Sequence, residues 1–246
     1  MAYNSFARVN NSLWIGLPKV ATTTLNSFFK DYPVTYFNTN AEFLNKVKFE
    51  VKPTKLWCVW RDPWERWVSA IIQDFEYKYN LGIVTNGVKN HRILSKEEIL
   101  TISKDIQDNW NFTHNNLRNK KFSHSSIYLA RYITILWRLI QKRCVINDIT
   151  FYHIDKINNA IKDILNVDTT QKNLNQTNST NTNNLGTILY NSSFYKKWQL
   201  QFAEDLELNN IIKKRKTINF TDWQQKVLFN NQSRYAKVPI KSNQQQ

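Results

Sequence analysis

The sequence is poor in the residues that build several classes of protein. It contains 2 cysteines and 4 glycines among 246 residues. Two cysteines form neither a disulfide framework nor the repeated spacing of a zinc site, so Cys58 and Cys144 are predicted to be buried thiols. No stretch approaches the ~20 apolar residues of a membrane span. The polar N-terminal segment lacks the apolar run of a signal peptide, and a cytoplasmic protein is therefore expected.

Acidic residues are also scarce, with 19 against 34 lysines and arginines, and the formal net charge is +15. Such an excess attracts anions, which include nucleic acid, anionic lipid, a polyanionic glycan and a small phosphorylated ligand. Charge alone does not choose among these partners. Aromatic residues, in contrast, make up 14% of the chain and argue against global disorder.

Predicted strands and helices alternate along the chain, which indicates one α/β domain over residues 1–246 with a central, mainly parallel sheet flanked by helices. Strands are predicted at 13–17, 34–37, 55–60 and 149–153. Helices are predicted at 22–29, 41–47, 63–79, 128–141, 155–165 and 191–208, and a further helix is predicted to begin at residue 95. The remaining segments are predicted to be a loop at 82–90, an Asn/Thr-rich surface loop at 169–187 and a basic polar C-terminal tail at 213–246.

The segment from Gly16 to Leu25 carries the strongest chemical pattern. A strand enters a short loop, and the loop opens a helix whose free N–H groups and dipole favour an anion. Lys19 adds a positive charge, and Thr22, Thr23 and Thr24 add hydroxyl donors. The pattern predicts a socket for phosphate or sulfate; the alternative is a Thr-rich helix start beside a surface lysine. No second glycine precedes the lysine, unlike the phosphate loop of nucleotide triphosphatases.

A second pattern follows the strand at 55–60. Arg61 leaves this strand at the sheet edge where open α/β sheets bind ligands, and its planar guanidinium suits a phosphate. Asp62 as the N-cap and Pro63 at the first helical position start a helix sharply, and Ser69 lies two turns into it. The segment predicts a second anion site; the alternative is a capped helix with a surface arginine.

The two segments resemble the motifs of sulfotransferases that use 3'-phosphoadenosine-5'-phosphosulfate (PAPS), in particular the carbohydrate type. Residues 18–25, Pro-Lys-Val-Ala-Thr-Thr-Thr-Leu, are similar to the 5'-phosphosulfate loop Pro-Lys-x-Gly-Thr-Thr-x-Leu, with Ala21 replacing the glycine. Residues 59–70 resemble the 3'-phosphate motif Val-Arg-Asp-Pro-x-x-Arg-x-x-Ser-Ala, with Trp60 before Arg61. Residues 202–208 are similar to the closing helix of that family.

This resemblance implies a P-loop-like domain that transfers a sulfuryl group to a hydroxyl or amine of an acceptor, on a carbohydrate, without a metal. It implies that Lys19 stabilises the leaving oxygen and that the loop from Ala21 to Thr24 holds the 5'-phosphosulfate. Arg61 and Ser69 would hold the 3'-phosphate.

Two residues compete for the role of general base. Glu42 follows the loop lysine at the distance seen in glycan-modifying members of the family, and its alternative role is a solvated carboxylate in a first helical turn. His124 resembles a histidine that precedes a helix in some carbohydrate-type members, and its alternative role is a surface helix cap.

Other functions remain open at this point. One is a P-loop kinase-like phosphotransferase, which would need a metal site. Another is a non-catalytic basic nucleic-acid-binding protein, which explains neither motif. The expected partner is an acceptor substrate, such as an anionic glycan, rather than nucleic acid. The basic run Lys213–Lys216 is predicted to be a solvated face, or to attract an anionic acceptor.

Overall fold

A computed structural model describes the protein at residues 6–17, 19–29, 34–37, 53–79, 82–85, 88–91, 93–110, 124–125, 127–141, 146–166, 179–219 and 221–223. Its strands are β1 (Phe6–Val9), β2 (Ser12–Ile15), β3 (Val34–Phe37), β4 (Lys55–Trp60), β5 (Gly82–Thr85), β6 (Val88–His91), β7 (Asp148–His153) and β8 (Thr217–Asn219). Its α-helices are α1 (Thr22–Phe29), α2 (Pro63–Tyr79), α3 (Lys96–Asn109), α4 (Leu129–Gln141), α5 (Ile157–Leu165), α6 (Ser179–Tyr190), α7 (Ser193–Gln201) and α8 (Ala203–Lys214).

A six-stranded sheet in the order β3-β1-β2-β4-β7-β8 forms the centre of the fold. The neighbours β2, β4 and β7 run parallel, whereas β1 is antiparallel to both of its neighbours and β8 is antiparallel to β7. The α/β architecture with flanking helices is therefore confirmed, but the sheet is mixed rather than mainly parallel. The two-residue connection explains only the antiparallel pairing of β1 with β2. The antiparallel strands β3 and β8 pair with strands that are far away along the chain.

Two hydrophobic clusters divide the buried side chains. The first joins the strands β1, β2, β4 and β7 to apolar residues of α1, α4, α5 and α8. The second lies among α2, α3, α6 and α7 and is rich in aromatic rings. Strand β4 is buried from Leu56 to Trp60, as expected for a strand covered on both faces. Cys58 lies in this strand as a buried free thiol, and burial raises its pKa; Cys144 is outside the described residues.

The predicted start of α2 is confirmed by its cap. Asp62 Oδ1 accepts hydrogen bonds from the backbone N–H of Trp64 at 3.0 Å and of Glu65 at 3.4 Å. These bonds satisfy N–H groups that have no partner within a helix. The capped start of α3 is also confirmed, since Ser95 and Glu98 form a reciprocal capping box.

The segment predicted as an Asn/Thr-rich surface loop at 169–187 is partly helical. Residues 179–190 form α6, which packs against α2 and α3 and buries Asn181, Leu185 and Leu189. The Asn181 side chain accepts a hydrogen bond from Leu94 N at 2.9 Å. Tertiary burial thus overrides a composition that favours a loop, and only the part before 179 lies outside the described residues. The predicted loop at 82–90 is likewise a hairpin of β5 and β6.

The predicted helix at 191–208 is two helices. The chain breaks at Phe202, whose φ of −101° and ψ of 25° are not helical, and α8 starts at the next residue. Trp198 and Phe202 belong to the aromatic cluster, whereas Leu208 and Ile211 belong to the sheet cluster. A straight helix has one apolar stripe, so the break allows the chain to pass from one cluster to the other.

The predicted tail from 213 begins with ordered structure. Lys213 and Lys214 end α8, and β8 then pairs with β7. Lys216 Nζ lies 3.2 Å from Asp163 Oδ2 and 3.9 Å from the centre of the Tyr152 ring. The basic run is therefore partly paired rather than wholly solvated, while residues 224–246 are outside the described part.

Two further sequence predictions fall outside the described residues, namely the helix at 41–47 and the general-base candidate Glu42 that it contains. Within the described residues, no helix is long and apolar enough to cross a membrane.

Candidate functional site

The two anion-binding patterns lie at one edge of the sheet. Strands β2 and β4 are parallel neighbours, with Ile15 opposite Cys58 in the register. The chain leaves both strands at their carboxyl ends, so the loop containing Lys19 and the turn at Arg61 are adjacent. Each connection then opens a helix, α1 or α2. Open α/β sheets bind ligands at this edge, where helix N-termini attract anions.

The loop before α1 has an unusual backbone. Lys19 has φ 64° and Ala21 has φ 61°, both in the left-handed region. An L-residue pays roughly 1–2 kcal/mol for this conformation, which glycine adopts without that cost. At position 21 this conformation is adopted by an alanine, which lacks the freedom of glycine. Strained backbone of this kind is a recurrent feature of ligand-binding loops.

Hydrogen bonds close the same loop from inside. Thr22 Oγ1 donates to the carbonyl of Leu17 at 2.7 Å, and Leu25 N donates to the carbonyl of Ala21 at 3.0 Å. The Thr22 hydroxyl hydrogen is thus used to hold the loop rather than offered to a ligand. Thr24 is buried, with 6% of its surface exposed. The Thr23 side chain is outside the described part.

The turn after β4 is bound on several sides. The Arg61 side chain is 19% exposed, and its Nε lies 3.4 Å from Glu65 Oε2. Asp62 Oδ2 accepts from Asn209 Nδ2 at 3.2 Å and lies 3.9 Å from Lys213 Nζ. Two residues of helix α8, Asn209 and Lys213, therefore contact the Asp62 carboxylate at the start of α2.

Ser69 differs from Arg61 in accessibility. It lies in α2, and none of its surface is exposed. A phosphate held by Arg61 reaches the Ser69 hydroxyl only if the neighbouring side chains move. The structure therefore places both predicted residues on one helix start, but it presents only Arg61 to solvent.

Arg66, the second arginine of the same segment, is fully buried. Its guanidinium donates to the carbonyls of His124 at 3.3 Å and Ile127 at 3.1 Å. Burial lowers the Arg66 pKa to about 10, and the nearby Asp205 and Asp74 carboxylates oppose that change. The arginine remains a cation at neutral pH and ties α2 to the chain before α4.

The Asp74 carboxylate contacts both the backbone N–H and the imidazole of His124. The buried Asp74 carboxylate lies 2.7 Å from His124 Nδ1 and accepts from the backbone N–H groups of His124 and Ser125 at 3.0 and 2.8 Å. It also accepts from the Ser125 hydroxyl at 2.6 Å. The His124 imidazole, 14% exposed, is therefore oriented by a carboxylate, an arrangement compatible with both a base and a structural role.

Asp205 completes this buried network from α8. Its carboxylate accepts from Leu129 N at 3.1 Å and Ala130 N at 2.8 Å, the first N–H groups of α4. Burial raises the Asp205 pKa to about 6, although these bonds and the Arg66 charge act to lower it. A single set of buried charges thus joins α2, α4 and α8.

Sequence reasoning named Arg61, Ser69 and His124 but did not identify the buried charges of Arg66, Asp74 and Asp205, which bind residues 124–130. Arg66 was visible as the second arginine of the quoted motif, and Asp205 lies in the segment similar to the closing helix. Asp74 has no comparable signal, because only the folded chain brings it to His124, 50 residues away.

No family model matches the chain, and searches of curated proteins and of solved structures give no match either.

Proposed function

We propose that the protein is a sulfotransferase that moves a sulfuryl group from PAPS to a hydroxyl or amine of a carbohydrate acceptor. The observation that carries this proposal is the adjacency of the two motifs at the carboxyl ends of the parallel strands β2 and β4. Two anion sites at one sheet edge suit a nucleotide with phosphate groups at both ends of its ribose.

The first site would hold the 5'-phosphosulfate. The N-terminal N–H groups of α1 and the Lys19 ammonium supply donors and positive charge to it. The strained backbone from Lys19 to Ala21 turns the loop around the anion. Thr23 and Thr24 remain candidate donors, whereas Thr22 shapes the loop through its bond to Leu17.

The second site would hold the 3'-phosphate. Arg61 can donate two parallel hydrogen bonds to a phosphate, and Lys213 adds charge nearby through its position beside Asp62. Ser69 joins this site after a local rearrangement. Because the Arg66 network fixes α2, little ordering cost falls on this half of the nucleotide site.

The transfer itself breaks the bond between sulfur and the bridging oxygen of PAPS and forms a bond from sulfur to the acceptor atom. Negative charge develops on the leaving oxygen, and Lys19 stabilises it. The acceptor proton passes to a base, for which Glu42 and His124 are the candidates. Glu42→Gln and His124→Gln, compared in pH–rate profiles, identify the base as the residue whose substitution removes the acid-limb pKa, because a general base is inactive once it is protonated.

Calorimetry tests the proposal with a matched pair of nucleotides. 3'-Phosphoadenosine-5'-phosphate and 5'-AMP differ only in the 3'-phosphate, so we expect clearly tighter binding of the former without added metal. Equal binding of the pair would contradict the proposal. Tighter, magnesium-dependent binding of ATP would indicate a phosphotransferase, and salt-dependent RNA or DNA binding without nucleotide affinity would indicate a nucleic-acid-binding protein.

A further inference from the structure

A cleft of about 390 Å³ opens between the start of α2 and one face of α6. Its volume falls within the ~300–1,000 Å³ of small-molecule sites. Trp64 and Glu65 line it from α2, whereas Asn183 and Tyr190 line it from α6, with Asn191 just beyond. Because Glu65 also contacts Arg61, the cleft borders the proposed 3'-phosphate site.

The aromatic side of this cleft is held rigidly. The Trp64 ring stacks on the buried Trp67 ring at 5.3 Å and 13°. The Tyr190 ring packs on Tyr195 with 4.2 Å between centroids, while 52% of Tyr190 stays exposed. A fixed, half-exposed aromatic ring offers apolar contact area at little entropic cost.

Gly186 keeps the floor of the cleft open beside the Trp64 indole. A Cβ placed on Gly186 would lie 3.6 Å from the Val68 side chain and 3.9 Å from Trp64 Nε1. No hydrogen bond joins this indole N–H to another of the described residues. It is thus a donor at the cleft wall, directed toward α6.

The polar groups of the cleft are amides, hydroxyls and one carboxylate. Asn183 and Asn191 are exposed, and each amide supplies both a donor and an acceptor. The Glu65 side chain is 59% exposed and carries the single charge among the lining residues. Although the chain as a whole has a net charge of +15, none of the described residues that line this cleft is a cation, and the neighbouring Arg61 is paired with Glu65.

We infer that the cleft binds one ring of a neutral saccharide. The C–H face of a sugar ring packs on an aromatic ring, while its hydroxyl groups donate to carboxylates and both donate to and accept from amides. A sulfated or uronic-acid sugar is disfavoured, because Glu65 would repel it. The identification of this sugar as the acceptor rests on the proposed function, whereas binding of the sugar does not.

The indole N–H resonance of Trp64 reports sugar binding in the cleft in ¹H–¹⁵N spectra recorded without nucleotide. It is assigned by its absence from the spectrum of Trp64→Phe. The titrants are lactose, maltose and N,N'-diacetylchitobiose, with a sulfated heparin disaccharide as the anionic comparison. We expect saturable shifts with at least one neutral sugar and none with the sulfated one. No shift with any neutral sugar, or stronger binding of the sulfated one, would overturn the inference.

Two neighbouring asparagines on α6 provide a matched control, since Asn183 lines the cleft and the exposed Asn184 does not. Asn183→Ala should weaken sugar binding about 3- to 10-fold, the effect of one lost hydrogen bond, and Asn184→Ala should leave it unchanged. Equal effects of the two substitutions would contradict a site in this cleft. Nucleotide titrations of the same samples test the proposed function separately. The inference about sugar binding and the proposed function can therefore be contradicted independently.

Discussion

The loop before α1 and the turn before α2 occupy equivalent places in the fold, yet they are stabilised differently. The loop leads into a helix of 8 residues and contains two residues, Lys19 and Ala21, with positive φ. The turn leads into a helix of 17 residues, and Asp62 is bound by α8 while Arg66 binds the chain before α4. The bonds described for the loop join residues 17–25 to one another, whereas those of the turn reach α8 and the chain before α4.

This difference indicates where ligand binding and folding are coupled. In the proposed function a bound anion would offset part of the strain of the loop, because it would be held by the N–H groups that have no partner within a helix at the start of α1. The turn, in contrast, is held by bonds within the folded protein that involve Asp62, Arg66 and α8. Substitution of the buried charges beside the turn should therefore affect stability, whereas loss of the loop lysine should affect turnover.

The largest loss of stability is expected when the network of buried charges beside the turn is disrupted. Arg66→Leu leaves Asp74 and Asp205 buried without their cation and should lower the free energy of unfolding by about 3–5 kcal/mol. Arg131 provides the control, because it pairs with Glu204 at 2.9 Å and is 37% exposed. Arg131→Leu should cost at most ~1 kcal/mol in the same urea titration. Similar losses for the two variants would show that burial does not distinguish these arginines.

The loop should respond in catalysis instead. Lys19→Ala should lower turnover on the order of 10²-fold, because in the proposed transfer the ammonium stabilises charge that appears only in the transition state. Affinity for the product nucleotide should fall less than turnover, and the unfolding midpoint should change little. Near-normal turnover of the folded variant would disprove the proposed role of Lys19.

Arg61 tests the nucleotide-binding part of the turn. Arg61→Ala should weaken binding of 3'-phosphoadenosine-5'-phosphate by about 2–3 kcal/mol, the value of hydrogen bonds to a charged group. Calorimetry with 5'-AMP should show a much smaller loss, since this nucleotide lacks the 3'-phosphate. An equal loss with both nucleotides would assign Arg61 a purely structural role beside Glu65.

Asp205 should make the stability of the network depend on pH. Its folded pKa of about 6 exceeds the unfolded value of ~3.9, so the folded state binds more protons between these values. The free energy of unfolding should therefore fall as pH rises from 4 to 7, and then level off. Ionisation of Asp205 should account for about 2 kcal/mol of this fall. Asp205→Asn should remove this part of the slope, whereas Glu204→Gln, which keeps Asp205, should not. Identical slopes for wild type and Asp205→Asn would contradict the assignment.

The smallest expected effect tests whether the backbone of the loop before α1 is strained. Ala21→Gly should raise the free energy of unfolding by about 1 kcal/mol, because glycine adopts a φ of 61° without a steric penalty. Ala160→Gly, in the middle of α5, should lower it by about 1 kcal/mol or more. Thermal unfolding of both variants, measured without ligand, tests this prediction. A loss of stability in Ala21→Gly would argue against strain at this position.

Local patterns predicted the elements that carry the candidate site. The buried run 55–60, the Asp62 cap and the proline at 63 gave β4 and the start of α2, and the threonines at 22–24 gave the start of α1. Each signal acts within a few residues, through capping bonds or the alternation of burial, so no tertiary contact was needed to recognise it.

Segments stabilised by distant partners were not predicted. Helix α6 has a polar composition and forms against α2 and α3, where Asn181 caps a backbone group 87 residues away. The mixed direction of the sheet depends on which strands meet, and the break at Phe202 depends on two separate hydrophobic clusters. None of these features has a signature in the surrounding sequence.

The amino-acid sequence therefore determined which residues start α1 and α2 and which side chains near them are candidates for anion binding, because strand ends and helix caps are encoded locally. Tertiary structure decided that Ser69 is buried, that Arg66 and Asp205 share a network and that α2 and α6 enclose a cleft. These properties arise from burial and from charges brought together across the chain, since desolvation and Coulomb energies depend on the neighbours a residue acquires on folding.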